Sequence, residues 1–360
     1  MRIVALLLLA ACSGAVTPDG GTPEAGGSSG GGAPSAGGNT TAGGAATAGG
    51  AATAGGAATA GGSGGLAPGE YDRNVPGYPM RGYDLIVPSA RGDAGYPVIF
   101  LLHGGGGNRS AARRTACPGG VTTSPDCFVP LATQRGFAVV VPDGTGALLR
   151  TWNAGGGSNG WQCVSGNACT SDVDEAAYFS ALVADLASAI PIAPGRLYAT
   201  GLSNGGAMSH RLACERSDVA AIASVGAGNQ FSTTRPCTRA ASVLELHGTD
   251  DPCWSWDGGP ASCADSNPGS KLSVAGTLQL WQRNDACDGG VAVTTLPDTA
   301  ADGTTTRRHT FSCARGAIEL YEVQGGGHTW PGGYSFGGGS GPIAADWVAN
   351  PVILDFFSTH

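Results

Sequence analysis

The segment Gly201-Leu202-Ser203-Asn204-Gly205 fits G-x-S-x-G, the pattern of a tight turn that thrusts a nucleophilic hydroxyl outward. A side chain at either glycine would strike the neighbouring strand or helix. A serine hydroxyl is a weak nucleophile alone, so the turn calls for a histidine base and an acid to orient it. Where nucleophile, acid and histidine follow in that chain order, His103, His210 and His247 are excluded as the base. His309 sits in a polar stretch and reads as an exposed strand residue, and His360 is terminal. That leaves His328, in Gly325-Gly326-Gly327-His328-Thr329-Trp330, on a loop after the last expected strand. The acid is expected in Leu246-His247-Gly248-Thr249-Asp250-Asp251-Pro252. Asp251 is preferred because Pro252 fixes the turn after it, with Asp250 as the alternative. His247 reads as a packed strand-end residue. Acyl transfer also needs donors for an oxyanion. The backbone N–H of Asn204 is one. Gly105, in His103-Gly104-Gly105-Gly106-Gly107, is the second, with Gly104 and Gly106 as neighbours that could take its place. The four glycines lack the Gly-Lys-Ser/Thr or helix-opening G-x-G-x-x-G that phosphate cradling would require.

These residues must be positioned by strands. Apolar runs Pro97–Leu102, Phe137–Val141, Arg196–Thr200, Ala221–Val225, Ser242–Leu246 and Ile318–Val323 read as strands. Between them lie helical patterns. One starts near Asp172, whose side chain would cap the first turn with Glu175 completing a capping box; Phe179, Leu182, Val183, Leu186 and Ile190 form its apolar face. Others run from about Gly205 to Cys214 and from Leu272 to Asn284. The alternation predicts βαβ units and a mostly parallel central sheet with helices on both faces. Each candidate residue then falls just past a strand's carboxyl end, where open α/β sheets bind ligands.

The chain has 360 residues, 19 Lys+Arg against 27 Asp+Glu, and a single lysine, Lys271. A net charge of −8 without a basic run excludes a nucleic-acid partner and any electrostatic grip on an anionic membrane. Residues 1–11, Met-Arg followed by a nine-residue apolar run, suit a signal peptide and are too short to span a bilayer. The run ends in Leu9-Ala10-Ala11-Cys12, which resembles the lipobox of bacterial lipoproteins and implies a lipidated Cys12 at the mature N-terminus. Residues 12–66 form a linker whose Ser13–Gly65 stretch holds 20 glycines, no aromatic residue and a Thr-Ala-Gly-Gly-Ala-Ala repeat. With no large apolar side chain to bury, it is expected to stay disordered. Residues 67–360 are the expected single folded domain. Ten further cysteines suit an oxidising compartment. The simplest pairing joins sequence neighbours: Cys117/Cys127, Cys163/Cys169, Cys214/Cys237, Cys253/Cys263 and Cys287/Cys313. Zinc is disfavoured because no C-x-x-C occurs and no histidine stands at ligand spacing beside any pair. No metal and no cofactor are called for.

At this point the chain resembles the secreted esterases grouped as feruloyl esterases or poly(3-hydroxybutyrate) depolymerases, of the α/β-hydrolase superfamily. The resemblance rests on His103–Asn108, Pro142-Asp143-Gly144-Thr145-Gly146, Trp152-Asn153-Ala154-Gly155, Val173-Asp174-Glu175, Gly201–Met208, His247–Asp251 and, most specifically, Gly325–Gly333. It implies the α/β-hydrolase fold and a triad of Ser203, Asp251 and His328. The family often places adjacent cysteines soon after the Trp-Asn-Ala-Gly segment. Here a glycine-rich stretch leads instead to Cys163 and Cys169, so the pocket wall near Trp161 is expected to differ. The implied activity is serine ester hydrolysis through an acyl-enzyme on a polymeric or polymer-derived ester, with hydroxycinnamoyl esters of plant cell wall first and hydroxyalkanoate esters second. A serine peptidase on the same fold and a non-catalytic surface binding module are the readings outside that activity. Trp254, Trp256 and Trp330, near Asp251 and His328 in sequence, are expected to stack on a planar acyl group.

Overall fold

The structure is a computed structural model that describes residues 65–263, 269–335 and 340–360. The expected signal peptide, Cys12 and the linker up to residue 64 lie outside the described residues. Among the described residues, ten strands form one sheet: β1 (Gly69–Val75), β2 (Tyr78–Val87), β3 (Tyr96–Leu102), β4 (Ala138–Pro142), β5 (Ile192–Leu202), β6 (Val219–Val225), β7 (Ser242–Gly248), β8 (Cys287–Thr295), β9 (Thr305–Cys313) and β10 (Ile318–Gln324). Their order is β1-β2-β4-β3-β5-β6-β7-β10-β9-β8. The run from β4 to β10 is parallel throughout. Antiparallel hairpins, β1–β2 on one side and β8–β9 on the other, close the two edges. This is the α/β-hydrolase fold, a mostly parallel sheet between helices.

The helices are α1 (Arg109–Thr115), α2 (Phe128–Gln134), α3 (Gly166–Thr170), α4 (Glu175–Ala189), α5 (Asn204–Glu215), α6 (Val274–Asn284) and α7 (Ala349–Thr359). Side chains alternate across a strand, so each buried strand feeds two cores. Val98, Phe100 and Leu102 of β3 pack with Phe179, Leu182, Leu186, Met208, Leu212 and Trp281, which lie on α4, α5 and α6. Ile99 and Leu101 point the other way, to Ala112, Phe128, Ala132, Ile353 and Phe357 on α1, α2 and α7. Each fully buried Leu, Ile or Phe contributes roughly 1.5–3 kcal/mol, so both helix layers are anchored by the same few strands.

One expected detail changes. Helix α4 is capped by Asp174, whose side chain accepts from Ala177 N at 3.0 Å, and Asp172 stands outside the helix at φ +44°. Glu175 completes no capping box. It turns inward, fully buried, to an ion pair with Arg81 on β2 at 2.7 Å and accepts from Asn153 N at 3.1 Å. The helix therefore begins on a buried charge pair that also holds the 151–155 segment, and a carboxylate with two such partners has no reason to fold back on the helix end.

Candidate active site

Strand β5 runs directly into Ser203, which sits at φ 60°, ψ −124° as the cap of α5. A residue other than glycine in that region is strained, and its surroundings over-determine it. Ser203 N donates to Val225 O at 2.9 Å, and Ser203 O accepts from Ala207 N at 2.9 Å. Both flanking glycines are required by close approach. A Cβ on Gly201 would lie 2.5 Å from Leu102 O, and one on Gly205 would lie 2.4 Å from the same oxygen and 2.8 Å from His103 O. Asn204 does more than offer its backbone N–H. Its buried amide accepts from Trp152 N at 2.7 Å and donates to Trp152 O at 3.0 Å and Val164 O at 3.2 Å. Trp152 in turn donates its indole N–H to His103 O at 3.0 Å. The turn, the 152–155 segment and the glycine loop after β3 are thus one hydrogen-bonded unit.

Asp251 leaves β7 through Gly248-Thr249-Asp250. Its Oδ1 accepts from Cys253 N at 2.8 Å and Trp254 N at 2.7 Å, and its Oδ2 accepts from His328 Nδ1 at 2.7 Å. Burial pushes this carboxyl up, but the His328 hydrogen bond, the nearby His328 and His247 rings and the Trp254 N–H outweigh it, and its pKa ends below the ordinary carboxylate value. Asp250 is exposed and, among the described residues, its carboxylate accepts only from Thr249 Oγ1. With Nδ1–H given to Asp251, His328 Nε2 is left as an acceptor. Gly226, a residue the sequence reading did not single out, lies against this pair. A Cβ there would sit 3.2 Å from His328 Nδ1 and 3.3 Å from Asp251 Oδ2, at φ +55°.

Ser203 and His328 line one cavity of about 380 Å³, with Gly104–Gly107, Ala111, Thr115, Leu202, Tyr334, Ser335 and Ser340. Gly106 N already donates to Arg150 O, and Gly107 N to Gly104 O, which takes Gly106 out of the oxyanion candidates and leaves Gly105 and Gly104. None of the three tryptophans expected to meet substrate lines this cavity. Trp254 and Trp330 are each 1% exposed. Trp254 donates to Leu272 O from within the α4–α6 core, and Trp330 donates to Asn350 Oδ1 and packs edge-on to Phe128. Trp256 packs against the same core as Trp254 and meets His247 edge-on at 6.0 Å, outside the lining of the Ser203 cavity. The physical reason is the same for all three: closeness in sequence to Asp251 or His328 does not fix direction, and the chain turns each indole under the sheet end. The aromatic ring that does line the cavity is Tyr334, whose hydroxyl accepts from Arg114 at 2.9 Å. A larger, polar recess of about 760 Å³, along Gly155–Trp161, Asp172 and Arg235, contains none of Ser203, Asp251 or His328.

The other histidines are committed. His103 is buried, with Nδ1 to Gly104 O at 2.8 Å and Nε2 accepting from Gly144 N at 2.9 Å, and burial pushes it down to about 4. His309 meets Glu322 across β9–β10 at 2.8 Å, half-buried rather than fully exposed. Disulfides join Cys117–Cys127, Cys163–Cys169, Cys214–Cys237, Cys253–Cys263 and Cys287–Cys313, the same near-neighbour scheme. Asp251, Cys253 and His328 lie close together, yet Cys253 is bonded to Cys263 and both Asp251 oxygens are engaged, so the group suits no metal. Lys271 is buried and donates to Cys253 O at 2.7 Å, pinning the loop that follows Asp251.

A nucleophile-type turn between β5 and α5, a carboxylate after β7 and a histidine after β10 define the α/β-hydrolase class. No family model matches the chain. It is 31% identical over 252 residues to "Putative esterase NocK" of Nocardia uniformis subsp. tsuyamanensis, covering 66% of this chain and 67% of that protein. With Feruloyl esterase D of Neurospora crassa it shares 25% over 235 residues, 65% of this chain and 68% of that one. With Feruloyl esterase B of Piromyces equi it shares 25% over 208 residues, 55% of this chain but only 34% of that protein. The chain therefore spans from about a third to about two thirds of the relatives it matches. It belongs to the esterase family of α/β-hydrolases that these proteins represent, and by that membership is a carboxylic-ester hydrolase. A crystal structure of a thermostable esterase superposes with a TM-score of 0.41 at 17% identity, over 71% of this chain and 54% of that one.

Proposed function

We propose that the chain hydrolyses hydroxycinnamoyl-type esters through Ser203, His328 and Asp251. The observation that carries this is the 2.7 Å His328–Asp251 bond beside a cavity that His328 shares with the strained Ser203. Ser203 Oγ attacks the ester carbonyl while His328 Nε2 takes its proton; Asp251 holds the ring in the required tautomer and stabilises the imidazolium. The N–H groups of Asn204 and Gly105 receive the oxyanion. Collapse expels the alcohol, which takes the proton from His328, and leaves an acyl-enzyme. Water activated by the same nitrogen then releases the acid. Among the described residues the Ser203 hydroxyl makes no hydrogen bond; its bond to His328 Nε2, on the wall of the same cavity, forms in the substrate complex.

The hydroxycinnamoyl reading is supported by the names of two relatives and by a cavity with Leu202, Ala111 and Thr115 on its walls and the flat ring of Tyr334 at its rim. Five disulfides fit an oxidising compartment, and with the leader they support export, Cys12 carrying a lipid. The test is labelling with a fluorophosphonate, then assay of methyl ferulate against hydroxybutyrate oligomers. Labelling lost in Ser203→Ala and a higher kcat/KM on methyl ferulate are expected. Preference for the oligomers would move the substrate to hydroxyalkanoates, and no turnover of any ester would leave a binding module.

A further inference from the structure

Behind Asp251 runs a chain of buried ionisable groups that the reaction does not touch. Trp281 Nε1–H donates to His210 Nδ1 at 3.1 Å, so His210 carries its proton on Nε2 and donates it to Glu245 Oε2 at 3.1 Å. Glu245 Oε1 faces His247 Nδ1 at 3.3 Å and accepts from Ser224 Oγ at 3.4 Å. His247 Nε2 faces Trp254 O at 2.8 Å and Asp251 Oδ2 at 3.5 Å. The side chains of His210, Glu245, His247 and Asp251 are all inaccessible to solvent.

Among the described residues, every polar partner of the His247 ring is an acceptor. A neutral imidazole has one N–H, so one of its nitrogens would press a lone pair against an oxygen in a dry site. Only the doubly protonated ring satisfies both sides. The charge count agrees. With Glu245 and Asp251 ionised and His210 neutral, a neutral His247 would leave two buried negative charges one ring apart, while an imidazolium leaves one. We infer that His247 is a standing buried imidazolium that neutralises Glu245 and keeps Asp251 ionised as the partner of His328, a positioning residue for the reaction proposed above, on which this inference rests.

The groups facing it come from four elements: Glu245 on its own strand β7, His210 on α5 through Glu245, Asp251 and the Trp254 carbonyl in the following loop, and His328 through Asp251. Trp256 covers its ring edge. Lys271, the other cation in this region, is turned to Cys253 O and the face of Trp254, 5.1 Å from its centroid. Burial alone would strip the second proton, but the Glu245 hydrogen bond, the Asp251 and Glu245 charges and the Trp254 carbonyl outweigh it and raise the His247 pKa.

The test uses the whole chain labelled uniformly with 13C and 15N, the His247 ring signals being assigned through bonds from its own backbone. Both ring nitrogens of His247 should carry protons at pH 8; one bare nitrogen there overturns the inference even if the variant fails to fold. In folded His247→Gln, kcat on p-nitrophenyl acetate should fall about 10–100-fold with KM within about twofold. The acid limb of kcat/KM should move up by roughly half to one pH unit, because Asp251 has lost a cationic neighbour. Glu245→Gln with His247→Gln removes both charges and should return the limb towards wild type. A merely structural role would lower Tm and leave the limb in place, which also overturns the inference. Residual full activity in Ser203→Ala would sink the triad while leaving the nitrogen signature intact, so the two failures are distinguishable.

Discussion

Asp250 and Asp251 stand side by side in sequence and differ in everything that matters chemically. Asp251 is buried, takes two backbone N–H groups on one oxygen and His328 on the other; Asp250 is exposed, and among the described residues its carboxylate accepts only from its neighbour's hydroxyl. Asp251→Asn should therefore cost about three to four orders of magnitude in kcat on p-nitrophenyl acetate, while Asp250→Asn stays within about twofold. The reverse ranking would reassign the acid. Gly226 offers a sharper probe. Alanine there must adopt φ +55° and place a methyl against the His328–Asp251 bond. A stability loss of about 1–2 kcal/mol from the backbone alone is expected, read by urea denaturation, with a fall in kcat larger than that loss explains. The placement of Ser203, Asp251 and His328 just past strand ends was legible because chain order and strand ends constrain them together. The tryptophans were not, since a side chain's direction after a turn depends on packing partners far away in sequence, such as Leu272 for Trp254 and Asn350 for Trp330.

The central strands were readable because burial on both faces leaves continuous apolar runs such as Ala138-Val139-Val140-Val141. The β8–β9 hairpin was not: β8 is exposed along almost its whole length, so no alternation marks it, and it is fixed by pairing to β9 and by Cys287–Cys313. The start of α4 failed for a related reason, since Glu175 obeys a long-range ion pair and not the local capping rule. Between elements, the Asn204 amide is the strongest tie. Asn204→Ala deletes three hydrogen bonds and leaves Trp152 N, Trp152 O and Val164 O in a buried site. The expected loss is about 2–4 kcal/mol, seen as a Tm lower by roughly 2–4 °C per kcal/mol. An unchanged Tm would mean that water replaces the amide fully.

Over the whole domain, stability should respond to pH from two sides. Burial raises Asp285 to about 6, above its unfolded value, so its contribution is fully present below the ordinary carboxylate range and is lost as pH rises towards 6. Asp251, lowered on folding, contributes above the ordinary carboxylate value and is lost as pH falls through its own depressed one. Asp285→Asn should remove the decline between about pH 4 and 6 in a series of melting curves; an identical decline in the variant would place its origin elsewhere. The chain's only lysine is 6% exposed and spends its ammonium on Cys253 O. Amine-directed reagents, whether dyes, cross-linkers or activated resins, therefore find no ready side-chain handle on this domain.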